Sequence, residues 1–526
     1  MKIEEKIRNF IRSVHPSTWL YFIVSMIVYS PFMVRQLNNA DCNTYGYLYH
    51  LDPGYGWENG QGRFLIRFFD MWRNGIVSPV IIVALTLVLL ALTVEIITRM
   101  FEVKSQISAL LIGALIFFSP SFADLFSYNY TLDSYAFSYL LCALCAYLMI
   151  SKTGIKWRVI ETALLFVSMG IYQAHAGFTL CLVMLWLLKE CFEDKNERIK
   201  EPLLTTFLAY VVYAISTVMY LIVFKLLSAT GYLRATSERG ADNIFGNFIS
   251  NLLLKIKEAY SSFFGYFFTD SIIYNSWFAR KYINVILLLL TAILIAVLII
   301  KKKIYKNIVK MTVIIADILL LPLIVFLITI LAPGSSVHAE TGLLLLSYIN
   351  VVYVIPLILP VKEDKLTIPV KAVLCLLCVV LVVFIQVFAR YIDRQQSQIT
   401  NLANRLVYRM ETLDGYQEGQ KVLVVGRPHL GNYSLPDGTY ETITQGMISH
   451  YTQIFGAEDQ ISEGWIQAFG YFTGVFYTEC MPDERKQLIA SDEVQGMGIY
   501  PAADSVKKIN DIVVIKLSDW TPGNGR

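Results

Sequence analysis

The sequence predicts an α-helical polytopic membrane protein of about eleven transmembrane helices, followed by a small extracytoplasmic α/β domain. Three observations predict it. Of 526 residues, 56% are hydrophobic and only 16% are charged, whereas soluble domains carry roughly one quarter charged residues. The charges are clustered, leaving uncharged runs of about twenty residues, the length that crosses a hydrocarbon core. The final stretch of about 130 residues loses this pattern and carries short β-branched runs instead.

The expected spans are 17–34, 76–98, 107–122, 134–151, 157–172, 175–191, 202–228, 283–300, 309–331, 341–360 and 372–391. The third and fifth are short, and the seventh is long enough to tilt or break. The first has no small-residue cleavage site and is expected to stay as an anchor. Net charge, +3, says little; the position of the basic residues says more. "MKIEEKIRNFIR", "TRMFEVK", "SKTGIKWR", "KECFEDKNERIK" and "KKKIYKNIVK" fall on one side of an eleven-span chain. The positive-inside rule makes that side the cytoplasm. The N-terminus is then inside, and loops 35–75, 123–133, 229–282 and 332–340, the turn at 172–176 and the C-terminal domain are outside. The loop 229–282 runs against the rule with Arg234, Arg239, Lys255, Lys257, Arg280 and Lys281, but its length weakens the effect of its charge.

Residues 1–391 are thus read as the membrane domain and 392–526 as the α/β domain. "KVLVVG" and "DIVVIKL" read as buried strands, with "SQITNLANRLVYRMETL" a helix leading into them. Cys142, Cys145, Cys181, Cys375 and Cys378 fall in apolar runs, where cysteine packs as a small hydrophobe.

Two outer loops carry amphipathic stretches. In "GRFLIRFFDMWRNG", Phe64, Leu65, Phe68, Phe69 and Trp72 share one helical face and Arg63, Arg67 and Asp70 the other. In "NIFGNFISNLLLKIKEAY", Phe245, Phe248, Ile249, Leu252 and Ile256 line up likewise. Such helices lie in the membrane interface or pack on the bundle.

Several chemistries have no motif here. There is no P-loop, dinucleotide fingerprint, Asp-x-Asp pair or nucleophile elbow. No charge is expected in the middle of a span; Glu95 and Lys225 lie near span ends and can snorkel. That weakens a transporter reading, since transporters need polar groups at the midplane.

What remains is a ring of polar groups at the outer mouth: Asp41, Asp52, Glu58, Arg63, Arg67, Asp124, Asp133, Tyr172, Gln173, His175, Arg234, Arg239, His338 and Glu340. A carboxylate can serve as general base. Arginines can hold a phosphate through charge-assisted contacts, and tyrosines suit sugar rings and lipid interfaces. These are the ingredients of glycosyl transfer from a lipid-linked phosphosugar. The acceptor hydroxyl loses a proton, and the departing phosphate is steadied by cations or hydrogen-bond donors.

Each group also has an ordinary role. Asp41 can cap a span end, Asp52 before Pro-Gly can form a turn, and Arg63 and Arg67 can anchor to anionic head groups. Asp124 and Asp133 can be solvated or cap the fourth span, Tyr172, Gln173 and His175 can be satisfied within their turn, and Arg234 and Arg239 can lie in a solvated loop. Glu340 suits a helix N-terminus.

The order of span one, "NNADCNTYGY" and "GQGRFL", with "MGIYQAHAGFTL" further on, resembles the bacterial Gtr type II glucosyl transferase family over roughly the first 390 residues. The resemblance implies a GT-C membrane fold in the bacterial cytoplasmic membrane. It implies a polyprenyl-phosphate-glucose donor, a cell-surface glycan acceptor, and an inverting transfer that needs no metal or other cofactor. It also implies that Asp41 is the catalytic base, with the other ring residues as candidate substrate contacts. The family often has an arginine in its last outer loop. "SSVHAE" stands there instead, so either His338 meets the phosphate or the role lies elsewhere. Membrane lipid is an expected partner and nucleic acid is not. The competing readings are a polysaccharide polymerase or ligase using a lipid-diphosphate glycan, and a lipid or glycan transporter.

Overall fold

A computed structural model of the chain describes residues 14–38, 42, 57–73, 78–193, 199–233, 248–271, 273, 279–331, 347–360, 367–426 and 461–519. Asp41, Asp52, Arg234, Arg239, His338 and Glu340 lie outside the described residues. The chain divides into two compact units. One comprises Met1–Gln36, Leu48–Val387 and Thr442–Ile448; the other comprises Leu37–Tyr47, Phe388–Glu441 and Ser449–Arg526.

The first unit is helical. Its principal helices are α1 (Pro16–Val28), α2 (Arg67–Arg73), α3 (Pro79–Met100), α4 (Gln106–Phe117), α5 (Pro120–Leu125), α6 (Leu132–Ser151), α7 (Ile155–Ile171), α8 (Ala176–Phe192), α9 (Lys200–Ala229), α10 (Phe248–Phe268), α11 (Arg280–Lys301), α12 (Ile308–Val325) and α13 (Thr367–Glu411). Their starts follow ordinary capping chemistry. Proline opens α1, α3 and α5, where its missing N–H costs nothing. The Ser119 hydroxyl accepts from Phe122 N at 3.0 Å, and the Asn307 side chain accepts from Lys310 N at 3.1 Å.

Among the described residues, seven helices are long and apolar enough to cross a membrane, by length and composition: Pro79–Met100, Leu132–Ser151, Gln173–Phe192, Lys200–Ala229, Arg280–Lys301, Ile308–Val325 and Thr367–Glu411. Pro16–Val28, Gln106–Phe117 and Ile349–Ile358 are shorter apolar helices. The fifth expected span is the 17-residue α7. The seventh is an unbroken helix of 30 residues. Ile222, Leu226, Leu288, Leu289, Ile293 and Leu319 are exposed. An apolar surface of this kind suits hydrocarbon rather than water. The protein is a helical membrane protein.

Helix α6 is central, packing on α3, α7 and α8. Two charged positions differ from expectation. Glu95 does not snorkel: it is buried and accepts from Thr18 Oγ1 at 2.5 Å, His15 N at 3.1 Å and Arg99 Nε at 2.6 Å. Asp317 lies in the middle of α12 and is only 7% exposed. A buried mid-span carboxylate therefore exists, and its supposed absence no longer weighs against a transporter. It escapes a hydropathy reading because one carboxylate barely lowers the mean of so apolar a segment.

The second unit holds a four-stranded sheet of β1 (Lys421–Val425), β2 (Thr478–Glu479), β3 (Val506–Ile509) and β4 (Ile512–Lys516) in the order β2-β1-β4-β3. Strands β1 and β4 pair in parallel, with Val422 opposite Val513. Strands β3 and β4 form a hairpin across Asn510 and Asp511, both at positive φ, the conformation a two-residue turn requires. Val422, Val424, Val513 and Ile515 face Trp465 and Phe469 of α14 (Ile461–Thr473). Leu423, Val425 and Val514 face Leu488 and Ile489 of α15 (Pro482–Ile489). Burial on both faces explains why the two expected strands are continuous apolar runs. The helix expected before β1 does not start afresh: it is the C-terminal part of the 45-residue α13, which belongs to the first unit up to Val387 and to the second from Phe388.

Candidate functional site

The site is built on residues 57–73. A helical turn, Trp57–Gly60, is followed by Gly62 at φ +88°, a backbone setting that favours glycine. A Cβ there would sit 2.0 Å from Tyr220 Oη. Arg63 N returns to Glu58 O at 2.9 Å, closing the turn. Leu65 N then donates to Gly170 O at 2.9 Å. Gly170 has no side chain to block this approach; a Cβ would lie 2.7 Å from Leu65 Cδ1. Gln173 locks the arrangement: its Nε2 donates to Gln61 O at 2.7 Å and to Tyr220 Oη at 2.6 Å, while Tyr220 Oη donates to Gly62 O at 3.2 Å. The first loop, the end of α7 and the face of α9 are thereby joined.

This joining turns Arg63 inward. Its Nη1 donates to Tyr135 Oη at 3.0 Å, and its guanidinium lies 4.6 Å from the centre of the Tyr172 ring. Tyr135 and Tyr172 stack at 4.7 Å. His175 meets them edge-on at 5.4 and 4.7 Å, and its ring centre is 4.1 Å from that of Tyr139. Burial opposes the Arg63 charge, but Tyr135, Tyr172 and Glu58 outweigh it and raise the pKa. The result is a cation in an aromatic enclosure, where electrostatic interactions act at low dielectric.

A second charged group adjoins on α2. Arg73 Nη2 contacts Asp70 Oδ1 at 2.5 Å and donates to Tyr130 O at 2.8 Å; Arg73 Nη1 lies 3.6 Å from Asp133 Oδ1. Burial pushes the Asp70 carboxyl up to about 7. Arg73 pulls against that shift, and Asp133 and Glu58 add to it. One guanidinium thus serves two carboxylates.

Helix α2 is shorter than its amphipathic stretch, because Phe64, Leu65 and Ile66 precede its first turn. Its faces are opposite to those of a soluble helix. Phe68, Met71 and Trp72 are exposed while Asp70 and Arg73 are buried. This places charge against protein and apolar surface against lipid or its interface. Arg67 is half-buried, its guanidinium 5.0 Å from the Tyr232 ring centre.

Several buried polar atoms have no hydrogen-bond partner among the described residues: Arg63 Nε, Arg67 Nε and Nη1, Asp133 Oδ2, Tyr172 Oη and both ring nitrogens of His175. Native interiors satisfy most such groups. Those named lie on residues 63–67, at Asp133 and in the Tyr172–His175 turn.

Of the residues the sequence pointed to, Arg63, Tyr172 and His175 converge directly. Gln173 acts as their lock, and Asp133 joins through Arg73. Asp124 is fully buried on α5, three residues after Ser121, whose hydroxyl lies 3.5 Å from Tyr266 Oη. That helix leads to a further cation, Arg280, which is buried, donates to Tyr266 O at 3.4 Å and has its guanidinium 5.0 Å from the Tyr266 ring centre. Tyr135, which accepts from Arg63, and Arg73, which meets Asp133, are not among the residues the sequence points to. Tyr135 stands two residues after Asp133 inside a span, and its tyrosine hydroxyl was the available signal. In the sequence Arg280 stands out only as a basic residue of the outer loop 229–282.

A family model described as "Glucosyl transferase GtrII" matches residues 45–361, more than half of the chain. The chain belongs to this family. No curated protein and no solved structure matches it significantly. The GtrII match spans Arg63, Arg67, Arg73, the Tyr172–His175 turn and Arg280, and ends before the sheet of the second unit. GtrII membership makes the protein a glycosyltransferase acting on a glucosyl residue.

Proposed function

We propose that the protein is an integral-membrane, inverting glycosyltransferase. It moves a glucosyl or related residue from a polyprenyl phosphate to a cell-surface polysaccharide, on the outer side of the bacterial cytoplasmic membrane. The observation that carries this reading is the enclosed Arg63 guanidinium among Tyr135, Tyr172 and His175, in a chain of apolar helices. An aromatic-walled cation suits a phosphate leaving group that departs beside lipid.

In this mechanism the acceptor hydroxyl gives its proton to Asp41, the residue the family resemblance nominates. The oxygen attacks the anomeric carbon from the face opposite the phosphate, so configuration inverts. The C1–O bond to phosphate breaks, and the charge developing on the phosphate is met by Arg63, with Arg67 as a second cation. Tyr172 Oη and the His175 ring supply hydrogen-bond contacts for sugar or phosphate. In this reading no metal is required, because the arginines supply the positive charge and hydrogen-bond donors that steady the departing phosphate.

A lipid-diphosphate donor, as in a polymerase or ligase, needs more positive charge. Buried Arg73 is engaged by Asp70 and Asp133, which favours the monophosphate reading. Buried Arg280 is the residue that would favour the other.

The test is purified protein with polyprenyl-phosphate glucose and a glycan acceptor, following release of polyprenyl phosphate. Release coupled to glucosylation supports the proposal. No release from any lipid-linked sugar overturns it, and movement of intact lipid-linked sugar across vesicles would favour the transporter.

A further inference from the structure

A second cation follows Arg63 closely in the helical unit. Ile66 N returns to Arg63 O at 3.1 Å, Phe68 N to Leu65 O at 3.3 Å and Phe69 N to Ile66 O at 2.8 Å. These tight turns lead from Arg63 to Arg67, the first residue of α2. The Arg67 guanidinium lies 5.0 Å from the centre of the Tyr232 ring and 5.8 Å from that of Phe68. Two aromatic rings thus adjoin one cation, a contact that strengthens as water is excluded. Nε and Nη1 of Arg67 are buried, with no hydrogen-bond partner among the described residues.

These rings differ from those around Arg63. Tyr135 and Tyr172 are each 2% exposed, whereas Phe68 is 55% and Tyr232 41% exposed. Both exposed rings stand on fixed backbone. At the end of α9, Gly231 turns the chain at φ +73° and Leu233 N returns to Leu227 O at 3.2 Å, burying Leu233 and leaving Tyr232 out. Phe68 stands on α2, which is held by Phe69 against Phe137 at 5.7 Å and by the buried Arg73. Exposed apolar residues continue from both rings, with Met71 and Trp72 on α2 and Leu226 on α9. An arginine that merely snorkels carries its guanidinium into the water of the head groups. Arg67 instead keeps two donors buried beside rings. A cation at the edge of an exposed apolar surface matches an amphiphile with one anionic head and a long hydrocarbon body.

We propose that Arg67, Phe68 and Tyr232 form a seat for the lipid end of the donor, at the junction of its phosphate and its isoprenoid chain. The proposal rests on the reading of a polyprenyl phosphate donor, and it adds which residues select the lipid. Arg67 takes a phosphate oxygen on the chain side, and Arg63 takes one on the sugar side. The first isoprenoid units lie on the Phe68 and Tyr232 rings, and the chain continues over Met71, Trp72 and Leu226. The chain does not react, so its contacts with the rings are equal before and during transfer. Binding of that kind lowers donor KM and leaves kcat alone. A glycerophospholipid carries the same phosphodiester charge but two acyl chains on a glycerol. The seat therefore discriminates through the carbons next to the phosphate, where the two rings stand.

The test uses the full-length protein in membranes and a polyprenyl-phosphate glucose that carries a photoreactive diazirine in its first isoprenoid unit. Labelled peptides are mapped on the wild type, and donor kinetics are measured for Phe68→Ala, Tyr232→Ala and Tyr232→Phe. Label is expected on the peptides that hold Phe68 and Tyr232. Unlabelled polyprenyl phosphate should displace it about tenfold better than phosphatidylglycerol at the same concentration. Each alanine variant should raise donor KM about fivefold or more, with kcat changed less than about twofold. Tyr232→Phe keeps the ring and should stay within about twofold of wild type in both constants. Label confined to other peptides overturns the seat, and equal displacement by phosphatidylglycerol overturns its choice of lipid. Unchanged donor KM in both alanine variants, or a loss carried by kcat instead, overturns the role of the rings in binding. A wild-type protein that transfers nothing overturns the donor reading, while the label and its displacement still decide the seat.

Discussion

The guanidinium of Arg63 lies 4.6 Å from the centre of the Tyr172 ring, and Tyr172 in turn stacks on the tyrosine that accepts the Arg63 hydrogen bond. Cation and ring come from opposite ends of a long stretch of chain, brought together by the Gly62 turn and the Gln173 lock. Arg63→Ala should lower kcat by about 10²- to 10³-fold, the usual effect of removing a donor to a developing anion. Arg63→Lys should recover only part of it, because an ammonium cannot reproduce the planar contacts. Steady-state kinetics with the lipid-linked donor decide this, and an alanine variant near wild-type rate would remove Arg63 from the mechanism.

Asp41→Asn tests the other half of the chemistry. The amide cannot accept the acceptor's proton, so turnover should disappear while donor binding, measured by titration, stays within about twofold. Normal turnover in that variant would dismiss Asp41 as base.

The Asp70 carboxyl, pushed up to about 7 by burial, makes stability depend on pH. A carboxyl raised in the folded state holds a proton that the unfolded chain has already released above its ordinary pKa of about 4. The folded state therefore binds more protons between about pH 4 and 7, and stability from this group falls as pH rises through that window. Asp70→Asn has no such proton to lose. The difference in Tm between Asp70→Asn and wild type should shift in favour of the variant from pH 5 to 8. A pH-independent difference would show that Asp70 ionises normally.

Gly62→Ala meets three obstacles, a φ of +88° and a Cβ 2.0 Å from Tyr220 Oη and 2.8 Å from Gln173 Nε2. The expected cost is about 1–3 kcal/mol, read as a lower Tm and reduced transfer. Adding Tyr220→Phe removes the clashing hydroxyl but also its bonds to Gln173 and Gly62, and leaves the backbone strain and the Gln173 contact, so it should restore only part of the Tm. Full tolerance of alanine would contradict the turn described here.

Excess EDTA should leave transfer unchanged if arginines alone steady the leaving phosphate. Loss of activity on chelation, restored by a divalent cation, would replace the metal-independent mechanism.

The sequence by itself determined the helical membrane class, because apolar length is a local property that survives without knowledge of neighbours. It also determined the strands β1 and β4, whose unbroken valine and isoleucine runs suit a sheet covered on both faces. It pointed to Arg63, Tyr172 and His175 through residue type and position near span ends. Only the tertiary structure decided that Gln173 is a lock, that Arg73 is committed to Asp70 and Asp133, and that Tyr135 belongs with Arg63. Those relations join residues far apart in the chain, and no local pattern encodes which partner a side chain meets. The polarity of α2 shows the same limit. Its spacing announced two faces, but which face turns inward was settled by the charged partners that α2 meets when the bundle packs. Asp317 reverses the case: its residue type was plain to read, and only packing showed that a lone carboxylate in so apolar a helix is buried within the bundle.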